Sequence, residues 1–213
     1  MMKKAMTWAC AALLGSGAAF GGLISEDPGE LSVNGLYWFP GAGQFDLFES
    51  GYGAQVSYRE WFSFPWGAGV NVGVAQWQVN SGSGAYKYDK LSDYGGDALL
   101  IPFGASLYFN AIDWDNWNVI LEGGLQYVLV NSGVTVFNNE EGIQKDQDVD
   151  IGDAVVFNLG AEYEYMVSEN VYLSGGIGYQ GDVVHGDTEY YGRSARDTDF
   201  RGFYARLGTK FLF

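Results

Sequence analysis

Apolar and polar residues alternate with a period of two along most of the chain beyond residue 30. Successive side chains of a strand point to opposite faces, so this pattern predicts strands with one apolar and one polar face. It runs through 51–61, 67–77, 99–110, 117–130, 155–166, 171–180 and 202–213. In the first of these, Tyr52, Ala54, Val56 and Tyr58 interleave with Gly53, Gln55, Ser57 and Arg59. A weaker strand is predicted over 31–39, with Leu31, Val33, Tyr37 and Phe39 on one side. Globular strands usually have about 5–6 residues, whereas a tilted strand crossing a bilayer needs about 9–11. The predicted lengths fit the second case.

The connections sharpen the picture. Segments 62–66, 111–116 and 167–170 are short, while 40–50, 80–98, 131–153 and 181–200 are long and polar. Long and short alternate strictly, beginning and ending with a long one. That is the rhythm of a closed, antiparallel, up-and-down barrel of eight strands, with both termini on the side of the short turns. No run of 18 apolar residues predicts a transmembrane helix. Pro102 removes one ladder hydrogen bond and is expected near the rim on the long-loop side.

The two faces differ in kind. One carries Val, Leu, Ile, Phe and Tyr; the other carries Gly, Asn, Gln, Ser and the charges of the strand centres, Arg59, Glu122, Glu162, Glu164, Arg206 and Lys210. A soluble lipocalin-like carrier would put the apolar face inside. Here the apolar face is too rich in aromatics for one eight-stranded lumen, so it is expected to point outward into lipid, with the polar face inward. Trp61, Phe62, Trp66, Phe109, Trp117, Tyr163, Tyr165, Phe211 and Phe213 lie at the short-turn ends, where they predict an aromatic girdle at a membrane interface. A closed barrel is also the only sheet that leaves no unpaired edge in hydrocarbon.

Composition agrees and adds limits. The 213 residues include 32 Gly, 7 Trp, 15 Tyr and 14 Phe but only 4 Pro, which favours strands over helices or collagen-like repeats. A net charge of −15 argues against a nucleic-acid partner. Residues 1–19 read as a cleaved secretory signal: Lys3 and Lys4, a short apolar stretch from Ala5 to Leu14, then Gly15-Ser16-Gly17-Ala18-Ala19. Residues 20–213 would form the barrel. Cleavage would remove Cys10, the only cysteine, leaving no disulfide, thiol nucleophile or thiolate metal site.

The ending Gly-Phe-Tyr-Ala-Arg-Leu-Gly-Thr-Lys-Phe-Leu-Phe resembles the final strand of bacterial outer-membrane barrels, which alternate apolar residues and stop on a terminal Phe. Ile101-Pro102-Phe103-Gly104-Ala105-Ser106-Leu107-Tyr108-Phe109 is similar to a strand of small opacity-type and porin-like barrels. The resemblance implies an outer-membrane location and outer-membrane lipids as surroundings. It also implies that the barrel-assembly machinery reads the last strand, with Phe211 and Phe213 as the signal. Both termini are then periplasmic, and a monomer is expected.

Three basic and three acidic strand residues predict a hydrogen-bonded cluster inside a narrow lumen. Arg59, Glu162, Glu164 and Lys210 belong towards the short turns, with Glu122 and Arg206 nearer the middle. The leading expectation is a side-chain-filled barrel with a structural or surface-interaction role. The alternative is a small porin in which the acids form a cation-selective constriction. No cofactor, metal or catalytic residue is expected. His185, the only histidine, shares the last loop with Asp187 and Ser194, but no motif like that of a lipid A-modifying barrel surrounds them. The carboxylates from Asp146 to Asp153 begin like an EF-hand, yet Ile151 and Phe157 fill the glycine and final-ligand positions, so a solvated acidic loop is expected. The long connections carry 16 acids and 5 bases, interleaved with Tyr86, Tyr88, Tyr94, Tyr190 and Tyr191. They form either an adaptable contact surface or a repulsive hydrophilic coat.

Overall fold

A computed structural model describes residues 29–40, 48–79, 92–138, 146–190, 193–194 and 198–213. The proposed signal, residues 1–19, lies outside them, as do Tyr86, Tyr88 and Tyr191 and the side chains of Tyr94, Tyr190 and Ser194. In chain order the strands are β1 (Glu30–Pro40), β2 (Phe48–Ser63), β3 (Trp66–Val79), β4 (Ser92–Gly95), β5 (Asp97–Trp114), β6 (Trp117–Ser132) and β7 (Val134–Asn138). They continue as β8 (Asp146–Ile151), β9 (Ala154–Ser168), β10 (Val171–Val184), β11 (Thr188–Tyr190), β12 (Arg193–Ser194) and β13 (Gly202–Leu212). Among the described residues no helix is long and apolar enough to cross a membrane.

Eight strands close a barrel in the order β1-β13-β10-β9-β6-β5-β3-β2, each antiparallel to its neighbours. They are the eight read from the alternation, extended by up to four residues at an end, as in β5 and β10. Closure runs from Glu30↔Leu212 to Pro40↔Gly202, and the Phe213 amide donates to the Gly29 carbonyl at 3.1 Å. Pro102 faces the lumen below the rim; the β3–β5 ladder there passes from Val72↔Phe103 to Ala75↔Leu100 with no pair between, as a missing N–H requires.

The five remaining strands form a second sheet, β12-β11-β8-β7-β4, built from three of the long connections. This corrects the reading of those segments as loops. In β8 the acids alternate with apolar residues, so Asp148 and Asp150 are exposed while Val149 and Ile151 are buried. The stretch expected to be a solvated acidic loop is therefore largely a strand. Beyond it, Asp153 accepts from the Tyr127 hydroxyl at 2.8 Å and from the Val130 amide at 3.0 Å.

The outside of the barrel is apolar. Leu207 is 75% exposed, and Val33, Val70, Leu107, Leu121, Leu125, Leu159, Leu173 and Ile177 share its outward register. Rings flank this band on both sides. Phe62, Phe64, Trp66, Trp114, Tyr163, Tyr165, Phe211 and Phe213 lie at the short-turn end. Towards the long connections a second girdle, missed in the sequence, comprises Tyr37, Phe39, Tyr52, Phe103, Tyr127, Tyr179 and Phe203. Phe211 follows Phe203 by eight residue steps. At about 3.4 Å per residue and a tilt near 40°, they cover roughly 21 Å, close to the ~25 Å apolar band of a membrane barrel.

Candidate functional site: the filled lumen

The inward side chains form three layers. At the short-turn end is a network of charges. Arg59 of β2 binds Glu30 of β1 and, at 2.7 Å, Glu164 of β9. Lys210 of β13 binds Glu164 as well and lies 3.3 Å from Glu30. One step further in, the Arg206 guanidinium of β13 bridges Glu122 of β6 at 2.5 Å and Glu162 of β9 at 2.6 Å. All seven residues are buried. Each cation thus meets two carboxylates from different strands, which offsets the cost of removing the ions from water.

Rings complete this layer. The Arg59 guanidinium lies 4.8 Å from the Trp61 ring and 5.0 Å from the Tyr108 ring, and Lys210 Nζ lies 4.6 Å from the Tyr172 ring. The Trp61 indole also donates to Glu30 at 2.9 Å. Trp61 therefore belongs to the lumen and not to the girdle where the sequence reading placed it. Its register with Arg59, two residues earlier, requires this.

All six charges singled out in the sequence are brought together, in the two groups that strand direction implies except that Glu162 bonds Arg206. The missing member is Glu30, one residue outside the predicted first strand. Four acids thus face three bases, in place of the balanced set expected.

Above the charges is a layer of amides and hydroxyls. Ser106 donates to Glu122 at 2.9 Å, and Gln126 donates to Asn71 at 2.8 Å. Ser174 donates to Asn34 at 3.2 Å. A cavity of about 10 Å³ lies above, lined by Leu36, Gln55, Pro102, Gln126, Tyr204 and Arg206. A second, also about 10 Å³, lies within the charge layer. Each holds at most a single water. A wider depression of about 300 Å³, lined by Asp113, Trp114, Trp117 and Tyr172 among others, opens at the short turns.

The outer layer is an apolar core, which the sequence reading of a uniformly polar lumen did not anticipate. Trp77 is 1% exposed, and its ring lies 5.3 Å from Phe48, 5.8 Å from Phe200 and 6.3 Å from Trp38. Leu36, Leu100, Val128 and Val156 pack around these rings, and Val134, Val149 and Ile151 continue the cluster into the second sheet. Two glycines make the room: a Cβ on Gly51 would lie 2.2 Å from the Trp77 ring, and one on Gly178 would lie 2.3 Å from the Tyr204 ring. The cap and the barrel share one core.

His185 does not meet Asp187, which is exposed. Its Nδ1 lies 3.0 Å from Asp199 and 3.9 Å from Asp182.

No protein-family model matches this sequence, and no curated protein matches it. Solved structures do match in fold. The outer membrane protein OprG from Pseudomonas aeruginosa is similar with a TM-score of 0.56 at 14% identity, over 88% of this chain and 97% of that one. AlkL, an outer membrane protein solved by solid-state NMR in lipid bilayers, gives 0.53 at 14% identity, over 88% of this chain and 90% of its own. A major outer membrane protein from Thermus thermophilus gives 0.52 at 14% identity, over 87% of this chain and 99% of that one. The fold is that of the small eight-stranded outer-membrane β-barrels, as the final strand implied.

Proposed function

We propose that this chain is a closed barrel of a bacterial outer membrane, acting in envelope structure or surface contact and not as a channel. The observation that carries this reading is the stacked filling of the lumen. Ion pairs span it at one end, aromatic and aliphatic side chains pack it at the other, and the cavities between are of single-water size. An ion entering would need to separate buried pairs and then cross an apolar core, each step costing several kcal/mol. The apolar band and its two girdles support a transmembrane position, and the fold neighbours agree with it.

Residues 1–19 would direct export, and both termini would lie in the periplasm. Phe211 and Phe213 would present the final strand to the assembly machinery, and the protein would remain a monomer. The surface role falls to the second sheet and its acidic outer face, including Asp148 and Asp150. The test is single-channel recording of the refolded protein in planar bilayers, with heat-modifiable gel migration as the control for a folded barrel. Rare, small and unsteady currents are expected. A steady, cation-selective pore would replace this reading with the porin one.

A further inference from the structure

We propose that Asp182, His185 and Asp199 bind a divalent transition-metal ion of the zinc class at the outer rim of the barrel. Asp182 lies near the end of β10, His185 follows that strand, and Asp199 is on the segment returning to β13. The local backbone is fixed from both sides. The Thr198 amide donates to the Gly186 carbonyl at 2.8 Å, and the Gln180 side chain donates to the Phe200 carbonyl at 2.7 Å. The Phe200 amide in turn donates to Oδ1 of Asp182 at 2.9 Å.

That last bond aims the other oxygen of Asp182 at the histidine. The Asp182 side chain is only 2% exposed, and its Oδ2 is buried without a hydrogen-bond partner. A buried acceptor left unpaired costs about 1–3 kcal/mol, and more when charged, so an occupant that satisfies it is favoured. Oδ2 of Asp182 lies 3.9 Å from His185 Nδ1, and Oδ1 of Asp199 lies 3.0 Å from the same nitrogen. The three ligand atoms all fall within 4.8 Å of one another.

A tetrahedral ion with bonds of about 2.0–2.2 Å has ligand-to-ligand edges of roughly 3.4 Å. The two short separations straddle that value, so small side-chain adjustments suffice. The Arg201 guanidinium holds the second oxygen of Asp199 at 3.1 Å, as an outer partner orients a ligating carboxylate. The His185 side chain is 46% exposed, which gives an ion entry and leaves solvent for the fourth position. An imidazole with two carboxylates suits zinc and its neighbours, whereas calcium and magnesium take oxygen ligands.

The experiment is calorimetric titration of the untagged, refolded, metal-free chain with zinc chloride, and separately with calcium chloride. No other histidine in the sequence competes. One zinc ion per chain is expected, and Asp182→Asn, His185→Ala and Asp199→Asn should each weaken binding about tenfold or more. Calcium should neither bind comparably nor displace zinc. Should Asp182→Asn fail to refold, the exposed His185→Ala carries the test. Absence of saturable zinc binding would overturn the proposal. So would binding unchanged by His185→Ala, or calcium binding as tight as zinc.

Discussion

Replacing Arg206 with Met tests whether the lumen is closed by mutual neutralisation or merely crowded. Met retains most of the aliphatic length but withdraws the cation that bridges Glu122 and Glu162 at 2.5 and 2.6 Å. Both acids are buried, and the neighbouring Lys210 and Arg59 are committed to Glu30 and Glu164. Breaking one buried pair typically costs about 3–5 kcal/mol, because a charge is left without compensation. Here two carboxylates are left, so the loss belongs at the upper end of that range. With a urea slope near 3 kcal/mol/M for a chain of this size, the unfolding midpoint should fall by about 1–2 M. The assay is reversible urea unfolding in lipid vesicles, followed by tryptophan fluorescence. The triple variant Arg206→Met, Glu122→Gln, Glu162→Gln removes the stranded charges as well and should recover at least half of the loss. A single variant within about 0.5 kcal/mol of the parent would mean that the acids are solvated, and the closed lumen would be refuted. A triple variant less stable than the single one would show that the ion pairs are not the cause.

Two further outcomes follow from the other layers. Trp77→Ala empties the centre of the aromatic core and should cost about 3–5 kcal/mol in the same unfolding assay. Bilayer recordings of this variant should still show no steady pore, because the charge layer remains intact beneath it. On the outside, Leu207→Arg places a cation at the middle of β13 on the most exposed face. It should cost about 2–4 kcal/mol in vesicles, whereas a neutral Leu207→Ala should cost clearly less.

The barrel was legible in the sequence because one property, period-two alternation over membrane-length segments, specifies strand existence, face and direction together. The charged layer was legible for the same reason, since a charge in the middle of such a strand has one face open to it. Glu30 escaped because β1 begins with it, where a single residue cannot establish a period. Trp61 was misplaced because composition groups it with the neighbouring rings, while its register with Arg59 points it inward. The outer core was hidden more deeply. Trp38 and Trp77 sit on the same register as glycines and amides, and nothing local marks them as filling while Phe103 or Phe203 faces outward. Phe200 belongs to no barrel strand at all. The second sheet has strands of only 2–6 residues, too brief to stand out from a polar connection, and although β7–β8 and β11–β12 are hairpins, the β4–β7 and β8–β11 pairings join segments distant in sequence. The partners of His185 were likewise set by a hairpin return that brings residues 182 and 199 together.

The seam between β1 and β13 has a consequence for how the molecule is made. It joins Glu30 to Leu212, so the longest loop in the barrel is closed by its last strand in chain order, and the ring of ladders stays open until that strand pairs. Until closure, two eleven-residue edges lack partners. The ion pairs from Lys210 to Glu30 and from Arg59 to Glu164 tie β13, β1, β2 and β9 around that seam. A slip of one residue would turn Lys210 outward and bring Phe211 or Thr209 in among the acids. The charge layer therefore acts as a proofreading lock, rewarding one registration of the final strand and penalising its neighbours at the moment the cylinder shuts.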